Sequence, residues 1–134
     1  MKLLFICKHN RFRSKVAEAL FNKYSLGQHQ AKSAGIKLDA FFPYVAASVK
    51  NVLREYGIID VADAPALVSR NLISWAERVI VVADNVDISV FPRDKTQRWS
   101  ITDCSQDDVS AIKLRVRDID GRVRDLLKGI TKRR

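Results

Sequence analysis

Two short runs of consecutive apolar residues, 3–7 and 79–83, constrain the fold of this chain most strongly. Runs of this length that do not alternate with polar residues are typical of strands buried on both faces of a sheet. Apolar residues also recur with helical spacing between the two runs and after them. Alternating strands and helices predict a parallel α/β sheet, in which ligands bind beyond the carboxyl ends of the strands.

The sequence divides into predicted elements without an internal repeat or a linker. In chain order they are a strand over 3–7, a helix over 14–25, an edge strand over 28–36, a helix from Pro43 to Gly57, a shorter helix over 69–77, strands over 79–83 and 99–102, and a long final helix ending near 130. Ser14 is expected to cap the first helix, and the capping signature Ser105-x-x-Asp108 precedes the last one. Residues 1–134 are therefore expected to form a single domain.

Composition excludes several other classes of protein. Hydrophobic residues make up 47% of the 134 residues and charged residues 29%, which supports a packed core and argues against disorder. The N-terminal apolar run stops at Lys8, whereas a secretory signal needs roughly 7–15 apolar residues and a membrane span ~20. The two cysteines, Cys7 and Cys104, are too few for a disulfide framework. We therefore expect a cytoplasmic protein with reduced thiols and no membrane partner.

The net charge of +9 is concentrated in two segments. Residues 1–35 contain seven basic side chains and one acidic one, and residues 128–134 contain four basic and no acidic ones. The segment between them is nearly neutral. A basic terminus is usually a solvated one. The N-terminal cluster is more informative, because it surrounds a cysteine at the end of a predicted strand.

A Cys-x5-Arg-Ser segment at residues 7–14 lies where the first strand is predicted to pass into the first helix. Free N–H groups and the dipole at the start of a helix favour anions, and successive loop amides can surround an oxyanion of phosphate size. The planar guanidinium of Arg13 can hold two oxygens of the same group. Asn10 can tolerate a left-handed backbone conformation, which is useful in a tight loop without glycine.

Cys7 would lie beneath such an anion, where positive charge favours the thiolate over the thiol. The hydroxyl of Ser14 could donate a hydrogen bond to this thiolate. The sulfur would then attack a bound phosphate in line, while Arg13 and the loop amides stabilise the developing charge. The alternative for Cys7 is a small buried apolar residue at a strand end, without a chemical role.

Residues 4–18 resemble the active-site signature of the low-molecular-weight protein tyrosine phosphatase family, whose fold is shared with thioredoxin-coupled arsenate reductases. Ser33-Ala34-Gly35 resembles a tripeptide that follows the second strand in this family, and the similarity extends over essentially the whole chain. The resemblance implies a three-layer α/β domain with a four-stranded parallel sheet flanked by helices. It also implies a phosphatase that acts through a phosphocysteine, and we expect neither a cofactor nor a metal.

Transferred residue by residue, the family pattern makes Cys7 the nucleophile and Arg13 the phosphate-binding cation. The expected substrate-binding loop comprises Lys8, His9, Asn10, Arg11, Phe12 and Ser14. Asp103 is the expected general acid, because it stands just before the last helix, where the family places the acid that protonates the leaving oxygen. The other aspartates near the predicted site are expected to end a strand or to favour a helix N-terminus: Asp84, Asp87, Asp107 and Asp108.

Several positions depart from the family pattern. The Asp-Pro-Tyr of the family is Asp103-Cys104-Ser105 here, so the tyrosine that lines the phosphotyrosine ring is missing. An apolar wall could instead come from one of four aromatic residues: Phe12, Phe41, Phe42 or Tyr44. Phe12 also replaces the second cysteine that many members carry in the loop, and Lys15 replaces a proline.

Two other functions are open to this sequence. Arsenate reduction would need further cysteines to relay the oxidation, and Cys104 is the only thiol besides Cys7. Cys104 could instead form a protective disulfide with Cys7 on oxidation. A non-catalytic module that binds nucleic acid through its basic segments is the remote alternative.

The preferred partner is a phosphotyrosine protein or a small phosphomonoester, with inorganic phosphate or other oxyanions as further ligands of the loop.

Overall fold

A parallel sheet of four strands organises the fold. The computed structural model describes the backbone of residues 1–132 and the side chains of residues 1–130, so the basic end at 132–134 lies outside the described side chains. The strands are β1 (Lys2–Cys7), β2 (Gln30–Gly35), β3 (Arg78–Val82) and β4 (Thr96–Trp99), in the sheet order β2-β1-β3-β4. Each neighbouring pair is parallel. The predicted fold class is confirmed.

Helices cover both faces of this sheet. They are α1 (Arg13–Ser25), α2 (Ala47–Arg54), α3 (Arg70–Trp75) and α4 (Val109–Lys132). One core cluster joins α1, α2 and α4 to one face of the sheet, and a smaller cluster packs α3 against the other. The inner strand β1 contributes to both, with Phe5 in the first cluster and Leu4 and Ile6 in the second. None of the helices among the described residues combines the length and the apolar character needed to cross a membrane.

The two inner strands, β1 and β3, account for the two apolar runs of the sequence. Residues of both strands are buried on each face, so neither strand has a polar side to alternate with. Because all four strands run in one direction, their carboxyl ends share one edge of the sheet. That edge brings Cys7 close to the segments that follow β2, β3 and β4.

Two predicted boundaries are wrong. The fourth strand ends at Trp99 instead of beginning there, because residues 96–99 form the ladder with β3. This is an edge strand with partly exposed residues, which gives it a polar sequence and no clear pattern. The second helix spans Ala47–Arg54, so Pro43 belongs to the loop before it and Gly57 to the turn after it.

The helix caps also differ from the prediction. Ser14 lies inside α1, which begins at Arg13 without any side-chain cap. The cap of α4 is Asp108, whose Oδ1 accepts a hydrogen bond from the Ala111 N–H at 3.1 Å, whereas Ser105 lies in the preceding loop. An uncapped start of α1 leaves N–H groups available beside Cys7.

Candidate active site

The loop between β1 and α1, residues 8–12, borders a small pocket at the carboxyl edge of the sheet. The pocket is lined by Cys7, His9, Arg11, Phe12, Arg13, Asp103 and Gln106. The predicted nucleophile, phosphate-binding arginine and general acid therefore share one site. Three predicted loop residues do not line it: Lys8, Asn10 and Ser14.

Asn10 does not line the pocket, but its side chain fixes the conformation of the loop. Its φ of 55° is left-handed, which confirms the prediction for this residue. Its buried side-chain amide donates to Ser14 Oγ at 2.7 Å and to Ser33 Oγ at 2.9 Å. Its Oδ1 accepts from the Ala66 N–H at 2.9 Å. One side chain thus joins the loop to α1, to β2 and to the segment before α3.

These hydrogen bonds also orient the hydroxyl beside the cysteine. Ser14 Oγ lies 2.9 Å from Cys7 Sγ. Ser14 Oγ accepts a hydrogen bond from the Asn10 amide, and its own proton remains available to donate to a thiolate at Cys7. Ser33 likewise accepts from Asn10 and donates to Glu18 Oε1 at 2.7 Å. The series of hydrogen bonds that starts at Ser14 therefore ends at the Glu18 carboxyl. Burial raises the pKa of this carboxyl.

Gly35, at the end of β2, lies against the backbone of the loop. A Cβ at this position would lie 2.8 to 2.9 Å from backbone atoms of Lys8, His9 and Asn10, closer than side-chain carbons pack. Its N–H donates to the Ala66 carbonyl at 2.8 Å. The absence of a side chain at Gly35 is therefore a condition for the loop conformation.

Arg13 is 2% exposed and its guanidinium is held on several sides. Nη1 donates to the Ile101 carbonyl at 2.8 Å and Nη2 to Asn85 Oδ1 at 3.1 Å. Asp84 Oδ1 lies 3.5 Å from Nη1. Asp84 and Asn85 thus orient Arg13, a contribution that sequence reasoning missed. Their place directly after an inner parallel strand was the signal that could have found them.

Asp103 reaches the pocket from the loop between β4 and α4. Its Oδ2 lies 4.0 Å from Arg13 Nη2, and its side chain is 48% exposed. Its Oδ1 accepts from the Cys104 N–H at 2.9 Å. The other aspartates considered from the sequence do not line the pocket: Asp84, Asp87, Asp107 and Asp108. Among the described residues, Asp103 is therefore the carboxylate that lines the pocket together with Cys7.

Arg115, on α4, anchors the loop that carries Asp103. Its Nε donates to the Thr102 carbonyl at 3.0 Å and its Nη2 to Thr102 Oγ1 at 2.8 Å. The same Nη2 lies 3.4 Å from the carbonyl oxygen of Asp103. Sequence reasoning missed this residue, because a basic side chain on the polar side of an amphipathic helix gives no signal of such a contact.

The four aromatic candidates for an apolar wall have different surroundings. Phe12 is 3% exposed and lines the pocket, whereas Phe41 is 87% exposed and does not. Phe42 and Tyr44 pack against Arg11, whose Cζ lies 5.2 and 5.7 Å from their ring centroids. Their rings thus support a cation at the pocket and do not line it themselves.

Cys104 lies outside the pocket. It packs at the edge of the cluster formed by α1, α2 and α4, whereas Cys7 belongs to the cluster on the opposite face. Both are free thiols. Burial raises the pKa of the Cys104 thiol, which lowers the fraction of reactive thiolate at neutral pH.

The model of the family described as low molecular weight phosphotyrosine protein phosphatases matches residues 2–133 of this sequence. The chain belongs to this family. Membership accounts for the signature at residues 4–18 and for the order of strands around it.

Solved structures of similar fold carry more than one activity in their names. The low molecular weight protein tyrosine phosphatase of T. tengcongensis is 25% identical, with a TM-score of 0.84, over 96% of this chain and 99% of that one. An arsenate reductase of Archaeoglobus fulgidus is 29% identical, with a TM-score of 0.78, over 94% and 98%. The YwlE arginine phosphatase of Geobacillus stearothermophilus is 22% identical, with a TM-score of 0.85, over 98% and 94%, a likeness of fold alone.

The contact between Gly35 and the loop of this phosphatase-family chain can be tested with two glycine variants. We expect Gly35→Ala to weaken binding of inorganic phosphate about tenfold or more, because the new Cβ displaces the loop, and to lower the free energy of unfolding by about 1–3 kcal/mol. Gly121→Ala is the matched control, since nothing lies within 4 Å of its Cβ position on α4. It should preserve phosphate binding and stabilise by about 0.5–1 kcal/mol.

Titration calorimetry measures the affinity for inorganic phosphate, and urea unfolding measures the free energy of unfolding. Unchanged phosphate affinity in Gly35→Ala would show that the loop tolerates the added methyl group.

Proposed function

We propose that this protein is a phosphomonoester hydrolase, with protein phosphotyrosine as its main substrate class, that acts through a phosphocysteine on Cys7. The contact of 2.9 Å between Cys7 Sγ and Ser14 Oγ carries the proposal, because it places a hydroxyl that can donate a hydrogen bond to a thiolate directly beside the sulfur. A buried structural cysteine would need no such partner. The family membership supports the same chemistry.

Binding of the phosphate dianion uses the loop and Arg13. The start of α1 has no side-chain cap, so its first N–H groups and those of the loop are available to phosphate oxygens. The guanidinium of Arg13 is already fixed by Ile101 and Asn85, which reduces the conformational entropy lost on binding. The substrate is thereby placed with its phosphorus above the sulfur.

The first chemical step transfers the phosphoryl group to sulfur. The Cys7 thiolate attacks phosphorus, the bond between phosphorus and the leaving oxygen breaks, and Asp103 gives its proton to that oxygen. In the second step Asp103, now a carboxylate, removes a proton from water as the water oxygen attacks phosphorus. The S–P bond then breaks, inorganic phosphate leaves, and Ser14 stabilises the returning thiolate.

Arsenate reduction is the alternative, since a solved structure of the same fold bears that name. A relay of oxidation needs thiols that reach Cys7 in turn. This chain has two cysteines, and Cys104 lies outside the pocket. The arrangement therefore favours hydrolysis. A nucleic-acid module is less favoured still, because two cations of the basic segment, Arg13 and Lys15, are 2% and 5% exposed.

The role of Cys7 can be tested by replacing each cysteine. Cys7→Ser should lower turnover of p-nitrophenyl phosphate by about 10⁴-fold or more, because a neutral hydroxyl cannot replace the thiolate nucleophile. Inorganic phosphate should still bind to this variant. Cys104→Ser is the matched control and should keep activity within about twofold. Full activity in Cys7→Ser would refute the mechanism, and arsenate reduction that is coupled to thioredoxin and lost in Cys104→Ser would favour the alternative.

The role of Asp103 can be tested through the leaving group. Asp103→Asn should reduce kcat/KM for phenyl phosphate by about 10²–10³-fold, because kcat/KM reports the first step, in which the phenolate then leaves without a proton. The loss should be much smaller for p-nitrophenyl phosphate, whose leaving group needs no protonation. Asp107→Asn removes the same charge outside the pocket and should change neither rate. Equal losses for both substrates in Asp103→Asn would exclude Asp103 as the general acid.

Arg115 should act on the reaction as a positioning residue. Arg115→Met frees the Thr102–Asp103 segment, so we expect kcat/KM for phenyl phosphate to fall about fivefold, which is part of the loss expected when the acid itself is removed. The rate for p-nitrophenyl phosphate should change less than about twofold. Arg117→Met, at an exposed position of the same helix, is the matched control. A uniform loss with both substrates would indicate that Arg115 only supports the fold.

A further inference from the structure

Arg11 is fixed at the proposed phosphatase pocket without being neutralised. Its Nε donates to the Tyr44 carbonyl at 2.8 Å, and the rings of Phe42 and Tyr44 flank its guanidinium. Among the contacts of residues 1–130, none occupies its two Nη groups, so its fork of N–H donors is available. A guanidinium that is held in place in this way recognises carboxylate or phosphate oxygens well.

Three ionisable side chains lie near Arg11: His9, Asp39 and Asp103. His9 lines the same pocket, and its Nδ1 donates to the Lys37 carbonyl at 2.8 Å. The pKa of Asp39 is lowered chiefly by hydrogen bonds from the N–H groups of Phe41 and Phe42, and to a smaller degree by charge interactions with His9 and Arg11. The same Asp39 oxygen accepts both of these bonds and, among the described residues, no ion pair joins Asp39 to Arg11.

The opposite wall of the pocket is polar as well. Ser105 stands where the family pattern has a tyrosine, and Gln106 lines the pocket beside Asp103. Gln106 is held by a hydrogen bond from its Nε2 to the Cys104 carbonyl at 3.0 Å. A neutral aromatic ring would therefore meet polar groups on both sides, and Phe12 is the one aromatic side chain among the described residues that line the pocket.

We propose that the substrate is a phosphomonoester with a second anionic group, which Arg11 binds while the phosphate occupies the loop above Cys7. This inference rests on the proposed phosphatase function and specifies its substrate class. The second anion can belong to a small molecule or to an acidic side chain next to the phosphorylated residue of a protein.

Two substrate pairs of matched size test this proposal. The small pair is 4-carboxyphenyl phosphate and its carboxamide, and the peptide pair carries Asp or Asn directly before phosphotyrosine. The readout is the ratio of kcat/KM for the acidic substrate to that for the neutral one, compared between wild type and Arg11→Gln so that leaving-group differences cancel. The control variant is Arg93→Gln, an exposed arginine in the turn before β4, at the opposite edge of the sheet.

We expect the ratio to fall about fivefold in Arg11→Gln, to fall less in Arg11→Lys, and to stay unchanged in Arg93→Gln. A fall with the small pair alone assigns the second anion to a small molecule, and a fall with the peptide pair alone assigns it to a protein side chain. The wild-type ratio should also decrease in about 0.5 M salt, which tests the proposal even if Arg11→Gln folds poorly.

Ratios that neither Arg11→Gln nor salt changes would overturn this inference while turnover still depends on Cys7. If none of the four substrates is hydrolysed, or if Cys7→Ser is as active as wild type, the proposed phosphatase function itself fails. The two failures are therefore distinguishable.

Discussion

The three hydrogen bonds of the Asn10 side chain are the constraint on which the candidate site depends. A loop of five residues has to turn sharply between β1 and α1, and the left-handed backbone of Asn10 makes this turn possible without glycine. The buried amide then needs partners for its donors and its acceptor, since an unpaired one would cost about 1–3 kcal/mol. It finds them in Ser14, Ser33 and the Ala66 N–H, which belong to three separate segments. The same bonds that satisfy the amide therefore orient the hydroxyl beside Cys7.

Sequence patterns predicted those features of the structure that depend on residues close together in the chain. The inner strands are apolar because both of their faces are covered, and this composition can be read without knowing the neighbours. The conformation of Asn10 and the shared pocket of Cys7 and Arg13 also follow from short segments. Contacts that join distant segments could not be predicted in this way. Asp84 and Arg115 lie far along the chain from the loop, and only the sheet order and the packing of α4 bring them near it.

Departures from the family pattern are accommodated by packing. Lys15, which stands where the family has a proline, is 5% exposed, and its Nζ donates to the Ala64 carbonyl at 3.0 Å. Lys15 therefore connects α1 to the segment that contains Ala66. The backbone of Ala66 accepts a hydrogen bond from the Gly35 N–H and donates one to Asn10 Oδ1. Phe12, in place of a second loop cysteine, is buried against the core and lines the pocket. The loop is thus held by side-chain contacts that a proline and a cysteine could not make.

Several positively charged side chains of the N-terminal segment make contacts within the fold. Lys23 donates to the Tyr56 carbonyl, and the ammonium of Lys32 lies 4.5 Å from the Trp75 ring centroid, so both act within the fold. Arg13 is buried and balanced in part by Asp84. Arg11 also meets the pocket, and, unlike those of Arg13, both of its Nη groups are without a hydrogen-bond partner among the described residues. A surface for a long polyanion needs many such cations in a row, whereas one fixed guanidinium beside a phosphate loop is suited to a ligand with two anionic groups.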